Sequence, residues 1–417
     1  MPERFATVSV VGLGYIGLPT AAILASRGVR VVGVDTNRAV VDTVNAGAIH
    51  IVEPDLHDVV RAVVGAGRLT AQSAPSAADA FIIAVPTPTG ADHHPDISYV
   101  LSAVRSVAPV LKAGDLLIVE STCPVGTTEI VSDLLSTLRP DLACPKRGGP
   151  PGDVFIAYCP ERVLPGQILT ELERNDRSIG GVTAACSARA AQLYALFVKG
   201  ECVQTEARTA ELVKLTENAF RDVNIAFANE LSFVCEKLSV NVWQLIALAN
   251  RHPRVNILQP GPGVGGHCIA VDPWFVIHAA PEVTPLMQAA RKVNDAKPHW
   301  VIDKVRAAAA ASPEKRIACL GLAYKPDVDD LRESPSLEIA AELARTLAGR
   351  LTVVEPNIAD LPAALAGLGV EVATVEDAVA RCDVIVVLVG HKQFKALDPD
   401  LLAGKQVIDT IGLWSRR

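Results

Sequence analysis

The sequence contains no CxxC pair. Its nine cysteines, an odd number, sit singly in apolar segments such as FIAYCP and RIACLG. That pattern excludes a disulfide or zinc framework and points to a reducing compartment, the cytoplasm. Basic residues are in deficit: 39 Lys and Arg against 46 Asp and Glu give a net charge of -7, with a pI near 5.8. No broad basic field is available for nucleic acid or an anionic membrane, so any phosphate site must be local. Uninterrupted apolar runs of membrane-spanning length are missing too. The uncharged stretch from Thr7 to Ser26 lies between Arg4 and Arg27, but three glycines and Pro19 break it, and the strand-like VRVVGVD follows at once. It reads as strand, turn and helix rather than a signal peptide or span. Aromatic residues make up only 4% of a chain that is 50% hydrophobic. Its core is therefore aliphatic, and the dominance of Ala and Val leans towards buried parallel strands.

At 417 residues the chain is too long for one compact domain. The first half alternates Val/Ile-rich runs (TVSVVGLG, VRVVGVD, AFIIAVPTP, DLLIVEST) with helix-length Ala-rich stretches, the signature of a parallel sheet wrapped by helices. The patch CPKRGGPPGD, residues 144 to 153, is an exposed loop, and VFIAYCPE after it is a further strand. Thr205 to Val240 lacks glycine and proline and reads as one long helix. The last hundred residues repeat the opening arrangement in KRIACLGLAY, RLTVVEPN, CDVIVVLVGH and KQVIDTIG. The expectation is α/β: two Rossmann-like, doubly wound parallel-sheet domains over 1–204 and 301–417, joined by a long central helix and a helical middle domain over 205–300.

VSVVGLGYIGLPTAAILA carries G-x-G-x-x-G at Gly12, Gly14 and Gly17, directly after a strand and at the head of a helix. Gly12 permits the tight turn, Gly14 lets a pyrophosphate reach the backbone, and Gly17 lets helix and strand pack closely; the helix N-terminus supplies donors. Asp35 closes the second strand, where a carboxylate accepts from an adenosine ribose and repels a 2′-phosphate. NAD is favoured over NADP. Thr87 and Thr122 follow the third and fourth strands, where open parallel sheets bind ligands, although plain turn residues also occur there.

In LQPGPGVGGHCIAVDPWF a cysteine, Cys268, follows four closely spaced glycines, and Asp272 lies four residues on. Such a loop lets a substrate approach the backbone and leaves the thiol accessible, whereas a buried cysteine is an inert small hydrophobe. His267 is its neighbour, but adjacent side chains in extended backbone point to opposite faces, so it is not the base. On the long helix, Lys214, Asn218 and Arg221 share one face. They suit proton transfer, oxyanion support and phosphate binding respectively, and an ordinary solvated face is the alternative. ADHHPD, with His93 and His94, reads as a polar loop rather than a metal site.

Taken together, GLGYIGLPTA, AVPTP, YCPERVLPG, NDRSIGG, KLTENAFRDVNIAFANEL, RHPRVNILQPGPGVGGHCIAVDPWF and GLAYKPDVDDLRESPS resemble the UDP-glucose/GDP-mannose dehydrogenase superfamily along essentially the whole chain. GGHC and AVD, where the UDP-glucose branch typically shows GGSC and PKD, set it closest to the branch acting on UDP-N-acetyl-D-mannosamine. The resemblance implies an NAD-dependent, four-electron oxidation with Cys268 as nucleophile and Lys214 as proton donor or acceptor. Asn218 would support the oxyanion, and Asp272, Thr122 and Glu161 would position water. Around the nucleotide sugar it places Arg162, Val163, Lys214, Asn218, Arg221, Gly265, Tyr324 and Lys325, with His252 and Arg254 entering from a second subunit of at least a homodimer. On the cofactor side it places Tyr15, Ile16, Asp35, Thr87, Thr122 and Arg332. Pro165 departs from the UDP-glucose branch, which often has a second glutamate there, leaving Glu161 to act alone. UDP-N-acetyl-D-glucosamine or UDP-glucose as substrate, an oxidation stopping at the aldehyde, and a non-catalytic NAD(H) sensor are the competing readings. The NADH formed per sugar separates them in kind.

Overall fold

The structure, a computed structural model, describes residues 5–90, 92–164, 166–266, 268–312, 314–347 and 349–414. Two compact units divide it. The first comprises residues 1–217 with 274–279, and the second 218–273 with 280–417.

The first unit is built on an eight-stranded sheet in the order β3-β2-β1-β4-β5-β6-β7-β8. Its strands are β1 (Thr7–Val11), β2 (Arg30–Val34), β3 (Leu69–Gln72), β4 (Ala80–Ile83), β5 (Leu116–Val119), β6 (Phe155–Tyr158), β7 (Arg177–Gly181) and β8 (Cys202–Glu206). Alternate side chains bury on opposite faces, which explains the unbroken apolar runs. Ile82, Leu116 and Ile118 enter one core, and Phe81, Ile83, Leu117 and Val119 enter the other. Every pairing is parallel except that of β7 with β6, so the parallel expectation holds with one reversal. Register is what aligns the site. Val11 pairs with Val34 and with Ile83, Ile83 with Val119, and Val119 with Tyr158. The strands therefore end level, and the chain segments after them emerge along one edge, where ligands meet open parallel sheets.

The second unit carries a five-stranded, wholly parallel sheet in the order β11-β10-β9-β12-β13. The strands are β9 (Ile317–Leu320), β10 (Leu351–Val354), β11 (Glu371–Val372), β12 (Val384–Val387) and β13 (Gln406–Asp409). The repetition read in the sequence is detailed. Gly12 has φ +92° and Gly321 φ +93°. The N–H of Gly12 donates to Val34 O, and that of Gly321 to Val354 O, each at 2.8 Å. The expected long helix is Ala207–Lys237. In the second unit it packs with Pro285–Ala310 through a buried polar seam: Arg291 Nη1 reaches Asp222 Oδ1 at 2.7 Å, and Asn229 Nδ2 donates to Asn294 Oδ1 at 2.9 Å.

Candidate active site

In the first unit, the three glycines of the opening loop meet three different environments. A Cβ on Gly12 would stand 2.5 Å from Ala84 O and one on Gly17 1.8 Å from Gly12 O, whereas one on Gly14 meets nothing within 4 Å. Packing thus requires the first and third glycines, and the second keeps the backbone open, as a dinucleotide cradle needs. Ile16 precedes helix Gly17–Ser26, and Tyr15 is 40% exposed. Asp35 holds this turn from β2: its carboxylate accepts from the N–H of Leu13 at 3.0 Å and of Asn37 at 2.8 Å. These residues fit a nicotinamide dinucleotide.

Two further turns lie on the same edge. Thr87 follows β4 and Thr122 follows β5, and Ser121 ties them together by donating to Val85 O at 2.7 Å. The turn after Thr122 is braced by Glu211, a residue with no signal in the sequence. Its buried carboxylate accepts from Gly126 N at 2.6 Å, Thr128 N at 2.8 Å and Thr128 Oγ1 at 2.6 Å. Beyond β6, half-buried Glu161 accepts from the N–H of Val163. Burial pushes the Glu161 carboxyl up to about 7 against the pull of Lys214 and Arg177, and Glu120 adds to the rise. Lys214 itself is buried. Arg162 is committed within the unit, donating to Glu217 Oε1 at 2.7 Å and to Asp176 O. His93 and His94 are engaged in ring packing. His93 stacks on Trp274 with centroids 4.5 Å apart, and His94 meets His278 edge-on at 5.0 Å.

In the second unit the cysteine loop is seated on the turn after β9. A Cβ on Gly263 would lie 2.7 Å from Pro335 Cβ, and one on Gly265 2.4 Å from Glu333 O. One on Gly266, at φ +84°, would lie 2.8 Å from the Tyr324 ring. Cys268 follows, exposed, and its carbonyl accepts the N–H of Asp272 at 2.8 Å at the head of helix Asp272–Ala279. Asn218 Nδ2 donates to Asp272 Oδ2 at 2.6 Å. Thus two residues 54 apart in sequence meet, with Cys268 one turn away. Arg221 is exposed on the long helix. His252 and Arg254 are exposed just past helix Val242–Ala249, in a segment tied to the long helix by Asn224, which bonds Asn256 O and Leu258 N. His267 and Pro165 lie outside the described residues.

Tyr324 and Lys325 line a cleft of about 540 Å³ at the strand ends, together with Gly263, Gly390, Lys395 and Leu413. Arg332 is held by a two-point fork to Asp330, at 2.8 and 2.6 Å. Glu355, which sequence reasoning passed over, does for this turn what Asp35 does for the first. It accepts from Leu322 N at 2.7 Å and Ala323 N at 3.1 Å, with buried His391 behind it at 3.1 Å. The signal was its place, directly after the second strand of the repeat.

Sequence profiles of the UDP-glucose/GDP-mannose dehydrogenase family match in series: the NAD binding domain over 6–198, the central domain over 208–296 and the UDP binding domain over 318–416. The chain is 60% identical to an NDP-N-acetyl-D-galactosaminuronic acid dehydrogenase of Ralstonia nicotianae, covering 99% of this chain and 97% of that one. It is 59% identical to the UDP-N-acetyl-D-mannosamine dehydrogenase of Escherichia coli K12, covering 98% and 99%. The solved structure of a UDP-D-ManNAc dehydrogenase from Pyrococcus horikoshii superposes with a TM-score of 0.87 at 38% identity, over 98% of this chain and 96% of that one. With three matching domains, full-length relatives and a dinucleotide cradle in place, the chain belongs to the UDP-glucose/GDP-mannose dehydrogenase family, the NAD-dependent dehydrogenases of nucleotide sugars.

Proposed function

We propose that the chain oxidises the 6-hydroxymethyl group of UDP-N-acetyl-D-mannosamine to a carboxylate, a four-electron change giving UDP-N-acetyl-D-mannosaminuronate. The observation that carries this reading is Cys268 at the head of the helix begun by Asp272, itself bonded to Asn218. It stands in a chain 59% identical, end to end, to a dehydrogenase named for that sugar. NAD supplies the hydride acceptor for both oxidation steps. Lys214 takes the proton of the 6-hydroxyl. The Cys268 thiolate adds to the resulting aldehyde, forming a C–S bond whose thiohemiacetal is the second hydride donor. Water then cleaves the thioester, returning the thiol and releasing the carboxylate. Asn218 supports the oxyanion, while Asp272, Thr122 and Glu161 position the water. The thiol retains the reactive aldehyde, which a simple alcohol dehydrogenase has no need to do.

The cofactor set is Gly12, Gly14, Tyr15, Ile16, Gly17, Asp35, Thr87, Thr122 and Arg332. Arg162, Val163, Arg221, Gly265, Tyr324 and Lys325 hold the nucleotide sugar, and the domains follow the division at 204 and 300. His252 and Arg254 serve the partner's site in a homodimer. An exposed apolar stripe favours that assembly: Phe220 (69% exposed), Phe227 (50%) and Val234 (45%) recur at seven-residue intervals along the long helix, and Leu238 (66%) follows directly after its last residue. None of the nine cysteines is disulfide-bonded, which favours the cytoplasm. Among the described residues no helix is long and apolar enough to cross a membrane.

The test is stoichiometry with a mutant beside it. Two NADH per UDP-N-acetyl-D-mannosamine consumed is the expected result, and Cys268→Ser should end steady turnover while NAD affinity stays nearly unchanged. One NADH per sugar, or acid production by Cys268→Ser at the wild-type rate, overturns the covalent route.

A further inference from the structure

Beneath Glu161 in the first unit lies a charged cluster far from solvent. Glu120, the residue after β5, is 2% exposed, and Arg177, the first residue of β7, is also 2% exposed. Arg177 Nη1 stands 3.9 Å from Glu120 Oε1. Glu120 accepts from Tyr194 OH at 3.2 Å and from Thr20 Oγ1 at 3.3 Å, so both its oxygens are occupied. Arg177 is the less satisfied partner. Its guanidinium sits over the Tyr194 ring at 5.5 Å, its Nη2 reaches Leu172 O only at 3.5 Å, and its Nε and Nη1 have no hydrogen-bond acceptor among the described residues.

Burying a charge in such a setting is costly, and replacing an ion pair of this kind by apolar groups is often neutral or stabilising. The cluster therefore needs a reason other than stability. The one antiparallel pairing of the sheet supplies one. β6 and β7 pair as Ala157 with Gly181 and Tyr158 with Gly180. Continued by three residues, that register sets Glu161 across from Arg177. The flanking chain is held in that arrangement: Asn175 Nδ2 donates to Arg162 O at 3.1 Å, and Arg162 donates to Asp176 O. Had β7 run parallel, its first residue would lie at the opposite rim of the sheet. The reversal delivers a fixed cation to the edge where Glu161 stands.

We propose that Arg177 and Glu120 are positioning residues that set the charge of Glu161 from below, so that it can take a proton from the hydrolytic water. This rests on Glu161 acting on that water. The groups facing Glu161 are Lys214 from the long helix, Arg177 from β7 and Glu120 from the end of β5, with Tyr194 and Cys159 completing the buried cluster. Two cations draw the carboxyl towards ionisation, while desolvation and Glu120 oppose them, and together they hold it at about 7. A carboxyl poised there is part-ionised near pH 7 and, once ionised, basic enough to receive a proton.

The signs separate this role from a structural one. Glu120→Gln removes a negative charge but keeps the shape and an acceptor for Tyr194, so the acid limb of the rate profile should move to lower pH by about one unit. Arg177→Gln removes a positive charge and should move the limb the other way, while Arg177→Lys should leave it near its native place. Rates of NADH formation would be followed from pH 5 to 9 at saturating sugar and NAD, with Glu161→Gln as the control. Opposite displacements support the proposal. Unchanged limbs, or displacement of both in one direction, overturn it. If Arg177→Gln does not fold, Glu120→Gln decides alone, because no shift or an upward shift refutes the role. A limb that persists unmoved in Glu161→Gln refutes instead the reading of Glu161 on which the proposal rests.

Discussion

A Cβ built on Gly265 would stand 2.4 Å from the carbonyl oxygen of Glu333 and 2.7 Å from Pro335 Cδ. The glycines before Cys268 are therefore the means by which the Cys268 loop lies flat on the turn after β9. At Gly261, by contrast, the nearest atom to such a Cβ is Gly263 O at 3.8 Å, an ordinary contact. Gly265→Ala should destabilise the protein by about 1–3 kcal/mol and lower kcat, since the backbone must shift at the loop that carries the proposed nucleophile. Gly261→Ala should fall within about 0.5 kcal/mol of the parent. Denaturant melts of both variants check this, and equal stabilities would show that the loop yields freely.

The same loop marks how far the sequence alone could be read. The Gly-rich run before Cys268 announced a close approach, but its partner, Tyr324 with Pro335, could not be named, because packing across some sixty residues leaves no local pattern. Strands β1, β2, β4 and β5 were legible since both faces are buried, which forces continuous Val/Ile runs. Leu69–Gln72, Arg177–Gly181, Cys202–Glu206 and Glu371–Val372 were not: they are short and carry polar or small residues. The antiparallel pairing of β7 with β6, whose register continued sets Arg177 across from Glu161, is a matter of strand direction, which composition does not encode. Glu120 and Arg177 were hidden for the same reason.

The cofactor role proposed for Asp35 predicts the choice of dinucleotide. Its carboxylate is fixed by Leu13 and Asn37, and Arg38 is turned to Asp42 at 3.3 Å; in the proposed cofactor site that negative charge would face a 2′-phosphate. Catalytic efficiency should favour NAD over NADP by about 10²-fold, roughly 2.7 kcal/mol. Asp35→Ala should lower efficiency with NAD and narrow the ratio to about tenfold as the repulsion is lost. Efficiency with NADP equal to or above that with NAD in the parent would refute the assignment.

Stability should carry a pH signature from a lysine outside the proposed chemistry. Lys297 is 2% exposed, donates to Ser232 Oγ at 2.5 Å and lies 3.8 Å from the Trp300 ring centroid. Burial lowers its pKa from 10.5 to about 7, with Lys304 adding to the effect and Glu236 opposing it. A folded-state value below the unfolded one means the charged form costs stability. The cost is complete below pH 7, declines as pH rises and is gone above 10.5. Lys297→Met, which keeps the apolar stem, should raise Tm by about 3–6 °C at pH 6 and leave it unchanged near the top of that window. A Tm difference that stays constant with pH would show that the lysine folds with its charge fully compensated.

The sugar is the finest choice the site makes. Relatives at 60% and 59% identity are named for different acetamido sugars, so identity does not decide it. N-acetylmannosamine carries its acetamido group axial at C2. N-acetylglucosamine carries it equatorial, and N-acetylgalactosamine adds an axial 4-hydroxyl. Ala270 and Trp274, with the RHPRVN segment upstream, match the mannosamine branch, whereas the glucosamine branch more often has proline at position 270. Trp274 adds a physical argument: its ring is held against His93, and its Nε1–H is buried with no acceptor among the described residues. A donor left in that state gains from an acetamido carbonyl, which all three N-acetyl sugars offer, and loses with UDP-glucose, which offers none. From the branch match, UDP-N-acetyl-D-mannosamine should be used at least about tenfold more efficiently than its glucosamine or galactosamine counterpart, roughly 1.4 kcal/mol in the transition state; UDP-glucose, which lacks the carbonyl, should be poorer still. Trp274→Phe keeps the stacked ring but removes the donor, and should shrink the preference over UDP-glucose to about twofold. Initial rates of NADH formation at low concentrations of the four sugars measure both. A lead for UDP-N-acetyl-D-galactosamine in the parent would assign the enzyme to the other sugar. A preference over UDP-glucose undiminished in Trp274→Phe would show that the indole N–H takes no part in the choice.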